Sequence, residues 1–240
     1  MQSSRNIIIT GASKGIGRAI ALRLAAGNHL VLTGRNGVQL ESLATEVKQK
    51  GGSFEVHIVD LTRKEELEKF TEKVKQNNRT IDVLINNAGV GYFNRIDKFD
   101  DEEFDTIMKL NVYAPYYLCR AFAPVFISQK HGQVINISSV AGLNGFKSGT
   151  AYAASKHALN GFTESLREDL KEFGVAVTAL CPGSVRTEFG GKDIQKQLAS
   201  SDYSLEADDV ARTVEYLVNE SETANAKLIE LKPRRRKEFR

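Results

Sequence analysis

The chain has 240 residues, which is enough for one well-buried domain and short for two separate ones. Its 41% hydrophobic and 26% charged residues are ordinary for a globular protein, and no apolar run approaches the roughly 18 residues of a membrane-spanning helix. The formal net charge of +3 is concentrated in residues 232–240, where six of nine residues are basic. Because the rest of the chain is near neutral, we expect neither a nucleic-acid nor a membrane partner.

The cysteine and histidine content is low. Cys119 and Cys181 lie in apolar surroundings and do not suggest a disulfide framework. The residues before the first apolar run are too few for the core of a signal peptide, so we expect a cytoplasmic protein. The four histidines show no metal-ligand spacing, and we expect no metal site.

Apolar β-rich runs alternate with amphipathic helical patterns along the chain. Strands are predicted at residues 6–10, 29–33, 54–59, 83–86, 134–138, 175–181 and 227–231. Helices are predicted at residues 15–26, 38–50, 64–76, 102–129, 151–173 and 206–219. Such alternation predicts an α/β fold: a single doubly wound parallel sheet of about seven strands, Rossmann-type, with helices on both faces. We expect one domain over residues 1–231, followed by a basic C-terminal tail at 232–240.

A glycine-rich loop follows the first predicted strand and opens the first helix. Glycine is needed where the backbone must turn sharply and approach a pyrophosphate closely, and a helix N-terminus favours an anion. The spacing differs from the usual G-x-G-x-x-G, and the Gly-Lys-Ser/Thr of a Walker loop is absent. We predict that the loop binds a dinucleotide through Gly11, Ser13, Lys14, Gly15, Ile16 and Gly17.

The second predicted strand indicates which nicotinamide cofactor is used. An NAD site usually has an acidic residue about 20 positions past the glycines, whereas residues 29–36 contain no acid and include Arg35. A guanidinium binds a 2′-phosphate with charge-assisted bonds, and Lys14 can add a second positive charge. We therefore predict NADP(H), although both cations could instead be ordinary solvated surface residues. Asp60, followed by Leu61, is the candidate for the adenine amino group.

Four candidate catalytic side chains fall near predicted strand ends or on predicted helices. Tyr152 and Lys156 lie one turn apart on one helical face. Ser139 follows the carboxyl end of the fifth strand, the edge where open α/β sheets bind ligands. Asn111 interrupts a long helical pattern as a poor helix former, so it indicates a break there.

These motifs together resemble the short-chain dehydrogenase/reductases over residues 5–231, with each motif in the family's order. The motifs are the loop at 10–17, Asn87-Ala88-Gly89, Asn111, Ser139, Tyr152-x-x-x-Lys156 and Pro182-Gly183-x-x-x-Thr187. The resemblance implies that Tyr152 is the general acid/base, that Lys156 is its electrostatic partner and holds the nicotinamide ribose, and that Ser139 bonds the substrate oxygen. It implies a relay role for Asn111. The implied cofactor-lining residues are Asn87, Ala88, Gly89, Tyr152, Lys156, Pro182, Gly183, Val185 and Thr187.

The resemblance implies an NADP(H)-dependent oxidoreductase that interconverts a carbonyl and an alcohol on a small substrate. A free phenol has a pKa of about 10. An adjacent ammonium and the positive nicotinamide ring should lower the pKa of Tyr152 and favour its phenolate. The expected pocket is largely apolar, and its walls contain Tyr92, Phe93, Leu143, Phe146, Val185 and Phe189.

Two alternative functions stay open for the chain, and two others are disfavoured. The first half of the chain also resembles 3-oxoacyl carrier-protein reductases, but residues 228–233 lack their usual Gly-Gly ending and look more like the sepiapterin-reductase-like branch. We therefore favour a free aldehyde, diketone or α-keto compound as substrate. Enoyl reductases use a longer Tyr–Lys spacing, and nucleotide-sugar epimerases add a domain for which there is no room. A non-catalytic NADP-binding sensor or scaffold would be expected to lose Ser139, Tyr152 or Lys156.

The helical patterns at 102–129 and 151–173 carry many large apolar side chains. They include Tyr113, Tyr116, Tyr117, Phe122 and Phe126. Apolar patches on one face mark interfaces, and members of the resembled family pair through these two helices. We expect a homodimer or homotetramer.

Overall fold

The structure, a computed structural model, describes residues 4–191, 203–221 and 223–234. Seven strands form one sheet in the order β3-β2-β1-β4-β5-β6-β9, and every neighbouring pair is parallel. These strands are β1 (Asn6–Thr10), β2 (His29–Gly34), β3 (Ser53–Ile58), β4 (Val83–Asn86), β5 (Gly132–Ile137), β6 (Val175–Pro182) and β9 (Leu228–Leu231). The predicted Rossmann-type sheet is confirmed.

Helices cover both faces of the sheet. They are α1 (Gly15–Arg23), α2 (Gly37–Gln49), α3 (Lys64–Asn77), α4 (Asp101–Met108), α5 (Ala114–Gln129), α6 (Thr150–Leu170) and α7 (Ala207–Val218). Strand β1 shows how one run of isoleucines serves two cores, because successive strand residues point to opposite faces. Ile7 and Ile9 pack with α1, α2 and α7, and Ile8 packs with α3 and α5. Burial on both faces explains the continuous apolar strands.

The predicted helix at 102–129 is interrupted. Between α4 and α5 lies a turn of π-helix at Lys109–Tyr113, and Asn111 is its fully buried centre. Single π turns inside α-helices often occur at functional sites. The break expected at Asn111 is therefore observed, but as a π turn that keeps the chain helical.

The sequence pattern predicts a long irregular loop at 182–204, but the described part of this segment contains more structure than that. Strand β7 (Val185–Arg186) pairs in parallel with β8 (Leu205–Glu206), and a short 3₁₀ turn covers Phe189–Gly191. Residues 192–202 of the predicted loop lie outside the described residues. Of the predicted basic tail, residues 232–234 have no regular structure and 235–240 lie outside the described residues.

The expectation for the large apolar residues of α5 is partly wrong. Tyr117, Phe122 and Phe126 are buried in the core beneath the sheet, so they are not available for an interface. Helix α5 is apolar on more than one side, and the sequence pattern alone does not separate its core side from its outer side. Tyr113 and Tyr116 are 37% and 42% exposed, and they remain on the surface.

Two of the four histidines surround one carboxylate at the sheet edge. Glu55 on β3 accepts hydrogen bonds of 2.7 Å from both Asn77 and Asn78, and its oxygens lie 3.3 Å and 3.2 Å from Nε2 of His29 and His57. Burial alone would raise the pKa of Glu55, but these hydrogen bonds outweigh it and lower that pKa below its usual value. This is a structural hydrogen-bond cluster: the described part of the chain contains no group of side chains suited to a metal ion. Nor does any described helix have the length and apolarity to cross a membrane.

Candidate active site

The loop between β1 and α1 is built for close backbone contact. Gly11 and Gly15 have φ values of +64° and +56°, in the left-handed region that favours glycine. A Cβ on Gly17 would lie 2.3 Å from the Gly11 carbonyl oxygen. Helix α1 begins at Gly15, and its N-cap residue Lys14 makes no side-chain capping bond, so the first N–H groups are available to an anion. This cradle fits a dinucleotide pyrophosphate.

A hydrogen-bonded junction behind the loop joins the ends of β1 and β4. The Thr10 hydroxyl accepts from the backbone N–H groups of Asn87 and Ala88, both at 3.0 Å. The Asn87 amide donates to the carbonyls of Thr10 at 2.8 Å and Gly11 at 3.2 Å. Thr10 was not among the predicted site residues. Its position at the end of the first strand was the only signal that could have found it.

The residues predicted to choose the cofactor lie around the end of β2. Arg35 is exposed, and Ser13 lies against Gly34. Asp60 accepts from the backbone N–H and hydroxyl of Thr62, at 3.0 Å and 2.7 Å. Burial would raise the pKa of Asp60, but these bonds and the nearby charge of Arg35 lower it. The charge of Arg35 therefore acts on Asp60, and the cofactor-binding roles of both residues stay predictions.

Lys14 has a partner that the sequence did not reveal. Its ammonium forms an ion pair of 2.8 Å with Glu188, and both side chains are more than half exposed. The two residues are 174 positions apart in sequence. Next to Glu188, Thr187 is buried, and its methyl carbon lies 3.3 Å from where a Cβ of Gly15 would stand. The segment after β6 thus rests directly on the phosphate loop.

The predicted catalytic side chains are brought together at the carboxyl edge of the sheet. The Ser139 hydroxyl lies close enough to the phenol of Tyr152 to act on its pKa, and it accepts from the Ala141 N–H at 3.1 Å. The Lys156 ammonium is buried, donates to the Ile137 carbonyl at 2.9 Å and lies 5.8 Å from the centre of the Tyr152 ring. Ser139 rather than Ser138 faces the phenol.

Burial changes the acidity of both groups. It raises the pKa of Tyr152 to about 12, and the interaction with Ser139 compensates only part of this rise. It lowers the pKa of Lys156 to about 8. Lys156 alone therefore does not lower the pKa of Tyr152 in this structure, and the expectation that the ammonium and the nicotinamide ring together lower it stays a prediction. Withdrawal from water disfavours the charged form of each group, and it is the largest cause of both shifts.

Asn111 links three parts of the site. Its side-chain oxygen accepts from the Val90 N–H, and its amide donates to the Val90 carbonyl, both at 2.9 Å. The same amide donates to the Ser155 hydroxyl at 3.0 Å. A Cβ on Gly89 would lie 3.2 Å from the Asn111 oxygen and 3.7 Å from the Lys156 nitrogen. Asn111 thus fixes the segment after β4 against α6, and Ser155 is a partner that the prediction omitted.

The segment after β6 ties the catalytic serine to the end of the sheet. The Ser139 hydroxyl donates to the Pro182 carbonyl at 3.4 Å, and the Gly183 N–H donates to the Leu231 carbonyl at 2.8 Å. Val185, predicted in the substrate wall, is partly buried and packs against the core cluster that contains α1. The remaining side of Ser139 faces the phenol.

Two phenylalanines pack on Tyr152, and a third extends the cluster. The ring centres of Phe93 and Phe189 lie 5.5 Å and 5.6 Å from that of Tyr152, and the ring centre of Phe146 lies 5.9 Å from that of Phe93. All three were predicted as pocket walls, but their packing on the catalytic ring was not. The cluster explains why Tyr152 is only 9% exposed.

A seven-stranded parallel sheet with a glycine loop between its first strand and helix defines the Rossmann-type dinucleotide-binding class. The family model described as short chain dehydrogenase matches residues 5–198. An oxidoreductase of Staphylococcus saprophyticus, named as uncharacterized, is 33% identical over 232 residues, covering 94% of this chain and 96% of that protein. The chain belongs to the short-chain dehydrogenase family and is an oxidoreductase of that family.

Solved structures agree with this assignment. A metagenomic short-chain oxidoreductase in complex with NADP is 35% identical, with a TM-score of 0.85 over 97% of this chain and 98% of that one. An alcohol dehydrogenase from the archaeon Thermococcus sibiricus, complexed with 5-hydroxy-NADP, has a TM-score of 0.89 at 28% identity and covers 98% of each chain.

The depressed pKa of Lys156 predicts a specific pH dependence of stability. The group binds its proton less readily in the folded chain, with a pKa of about 8 instead of 10.5. Between these values the unfolded chain holds more protons, so the contribution of Lys156 to the free energy of unfolding rises with pH, by about 3 kcal/mol in total. Urea unfolding from pH 7.5 to 10 should show this rise in the wild type relative to Lys156→Met.

The comparison must be made as a difference, because the raised thiol pKa values of Cys119 and Cys181 oppose the trend above pH 9 in both proteins. The exposed Lys73→Met on α3 is the matched control and should follow the wild type. Parallel pH profiles for the wild type and Lys156→Met would contradict the assignment.

Proposed function

We propose that the chain is an NADP(H)-dependent oxidoreductase that interconverts a carbonyl and an alcohol on a small substrate. The proposal rests on one observation. The Tyr152 phenol lies next to the Ser139 hydroxyl, close to Lys156 and on the same edge of the sheet as the glycine cradle. NADPH, when bound, supplies the hydride. Gly11, Gly15 and the start of α1 hold its pyrophosphate.

Tyr152 donates the proton that the substrate oxygen needs in reduction. Its pKa of about 12 keeps the phenol protonated near neutrality, so it is ready as a general acid. Ser139 donates a hydrogen bond to the developing oxyanion, and Lys156 supplies positive charge at the site and holds the nicotinamide ribose.

The preference for NADP over NAD rests on charge at the end of β2. Arg35 and Lys14 are the cations, and no carboxylate occupies the position that binds a ribose 2′-hydroxyl in NAD sites. The two similar structures described above contain NADP or a derivative of it.

The aromatic rings over Tyr152 support a free, apolar carbonyl compound as substrate. Phe93, Phe146 and Phe189 offer ring faces and edges to an aldehyde or a diketone. A 3-oxoacyl carrier protein is the second candidate, supported by the resemblance of the first half of the chain. The third, a non-catalytic NADP-binding sensor, is disfavoured because Ser139, Tyr152 and Lys156 are all present.

Tyr152→Phe tests the catalytic proposal. It should reduce kcat at least about 100-fold, because the general acid is lost, and should leave the NADPH dissociation constant nearly unchanged. Tyr216→Phe, which alters an exposed tyrosine on α7, is the control and should keep full activity. Unchanged kcat in Tyr152→Phe, or no turnover by the wild type across a panel of carbonyls, would contradict the proposal. The second result would favour the sensor.

Arg35→Asp tests the cofactor preference. Loss of charge-assisted bonds of about 1.5–3 kcal/mol should reduce kcat/KM with NADPH at least about ten-fold while NADH is affected much less. Arg79→Asp, at another exposed arginine, provides the charge control. A wild type that uses NADH as well as NADPH would refute the preference.

The substrate class is tested by comparing kcat/KM for free diketones with that for an acetoacetyl carrier protein. We expect the free compounds to be the better substrates. A large preference for the carrier-bound thioester that disappears at high salt would overturn this order, since salt screens the charges that dock an acidic carrier protein.

The exposed aromatic patch at the start of α5 supports a homodimer or homotetramer. Tyr116 packs against Phe162 of α6 at 6.2 Å and against Tyr113 at 6.1 Å, and the Arg120 guanidinium lies 5.9 Å from its ring. Light scattering at micromolar concentration should give at least the dimer mass. Tyr116→Glu should weaken assembly and Tyr216→Glu should not. A monomeric wild type would contradict the proposal.

A further inference from the structure

Three successive residues after β7 contact two different parts of the site. Thr187 touches the phosphate loop at Gly15, Glu188 holds the Lys14 ammonium at 2.8 Å, and Phe189 packs on the ring of Tyr152 at 5.6 Å. The Phe189 N–H also donates to the Thr187 hydroxyl at 3.3 Å. One short segment therefore contacts the phosphate loop at one end and covers the catalytic phenol at the other.

The Lys14–Glu188 pair is suited to exchange. Both side chains are about 55% exposed, and an exposed ion pair contributes little to stability. A 2′-phosphate carries a charge of about −1.5 to −2 and three acceptor oxygens, so it attracts the same ammonium more strongly than one carboxylate does. Left beside that phosphate, Glu188 would repel it.

We infer that Glu188 is a cofactor-discriminating residue. When NADP(H) binds, its 2′-phosphate replaces Glu188 as the partner of Lys14. The released Glu188 carries the adjacent Phe189 away from Tyr152, and the substrate site opens. NADH lacks the 2′-phosphate, so Glu188 stays paired with Lys14 and Phe189 stays on the ring of Tyr152. The inference rests on the proposed NADP(H) function. It adds a residue that acts against the phosphate and a coupling between the two halves of the site.

Equilibrium binding of adenosine 2′,5′-bisphosphate and 5′-AMP tests the exchange without turnover. Glu188→Gln should tighten the bisphosphate by about two- to five-fold, the range expected for losing one exposed ion pair, and leave 5′-AMP unchanged. The gain should vanish in the Lys14→Gln background. Glu68→Gln removes the same charge from another exposed ion pair on α3 and should change neither affinity.

The coupling has its own reporter, because the chain contains no tryptophan. In Phe189→Trp, the bisphosphate should shift the single tryptophan emission to longer wavelength as the ring leaves Tyr152, and 5′-AMP should not. With Glu188→Gln added, the shift should already be present before any ligand is bound.

The outcomes separate this inference from the proposed function. Equal effects of Glu188→Gln on both probes, or tryptophan emission that ignores the bisphosphate, would overturn the role of Glu188 and leave the NADP preference intact. If Arg35→Gln and Lys14→Gln both kept the full preference for the bisphosphate over 5′-AMP, the cofactor proposal would fail, and the exchange at Glu188 would fail with it.

Discussion

The parallel order of the central strands brings the ends of β1, β4, β5 and β6 to one edge of the sheet. Each strand end then supplies a different part of the site, and short polar contacts join them. The Thr10 hydroxyl binds the backbone after β4, the Ile137 carbonyl binds Lys156, and the Pro182 carbonyl accepts from Ser139. Because the loop at Gly11 and Gly17 leaves no space for a Cβ, these strand ends can approach closely enough to share one ligand.

This compact arrangement has an electrostatic consequence. Tyr152 and Lys156 are both withdrawn from water, and each pKa moves toward the neutral form. A lysine held this way costs stability, as charged groups at functional sites often do, and the hydrogen bond to Ile137 compensates only part of that cost. The protonated phenol is the form that reduction requires, so the burial that works against stability serves the proposed chemistry.

Much of the fold and the site could be predicted from the sequence because local signals carried them. The isoleucines of β1, the glycines of the phosphate loop and the one-turn spacing of Tyr152 and Lys156 are all readable within a few residues. The break at Asn111 was predictable for the same reason, since asparagine is a poor helix former. Its form was not, because a π turn depends on the bonds that Asn111 makes to Val90 and Ser155.

Features that depend on distant contacts were missed. The pairing of Lys14 with Glu188 joins residues 174 positions apart, and no sequence feature near either residue indicates the pairing. The inner side of α5 was misjudged because its sequence is apolar on more than one side. The rise in the Tyr152 pKa was missed because the charges of Lys156 and the nicotinamide ring were considered and the burial of Tyr152 under Phe93 and Phe189 was not.

Transfer of deuterium from NADPH labelled at C4 of the nicotinamide is the most direct test of the central claim. Wild-type protein would be incubated with each C4-labelled form of the cofactor and an aryl-substituted diketone, and the alcohol analysed by mass spectrometry. The account predicts that one of the two forms gives an alcohol with one deuterium on the carbinol carbon. Consumption of both labelled forms with no deuterium in the alcohol would contradict it.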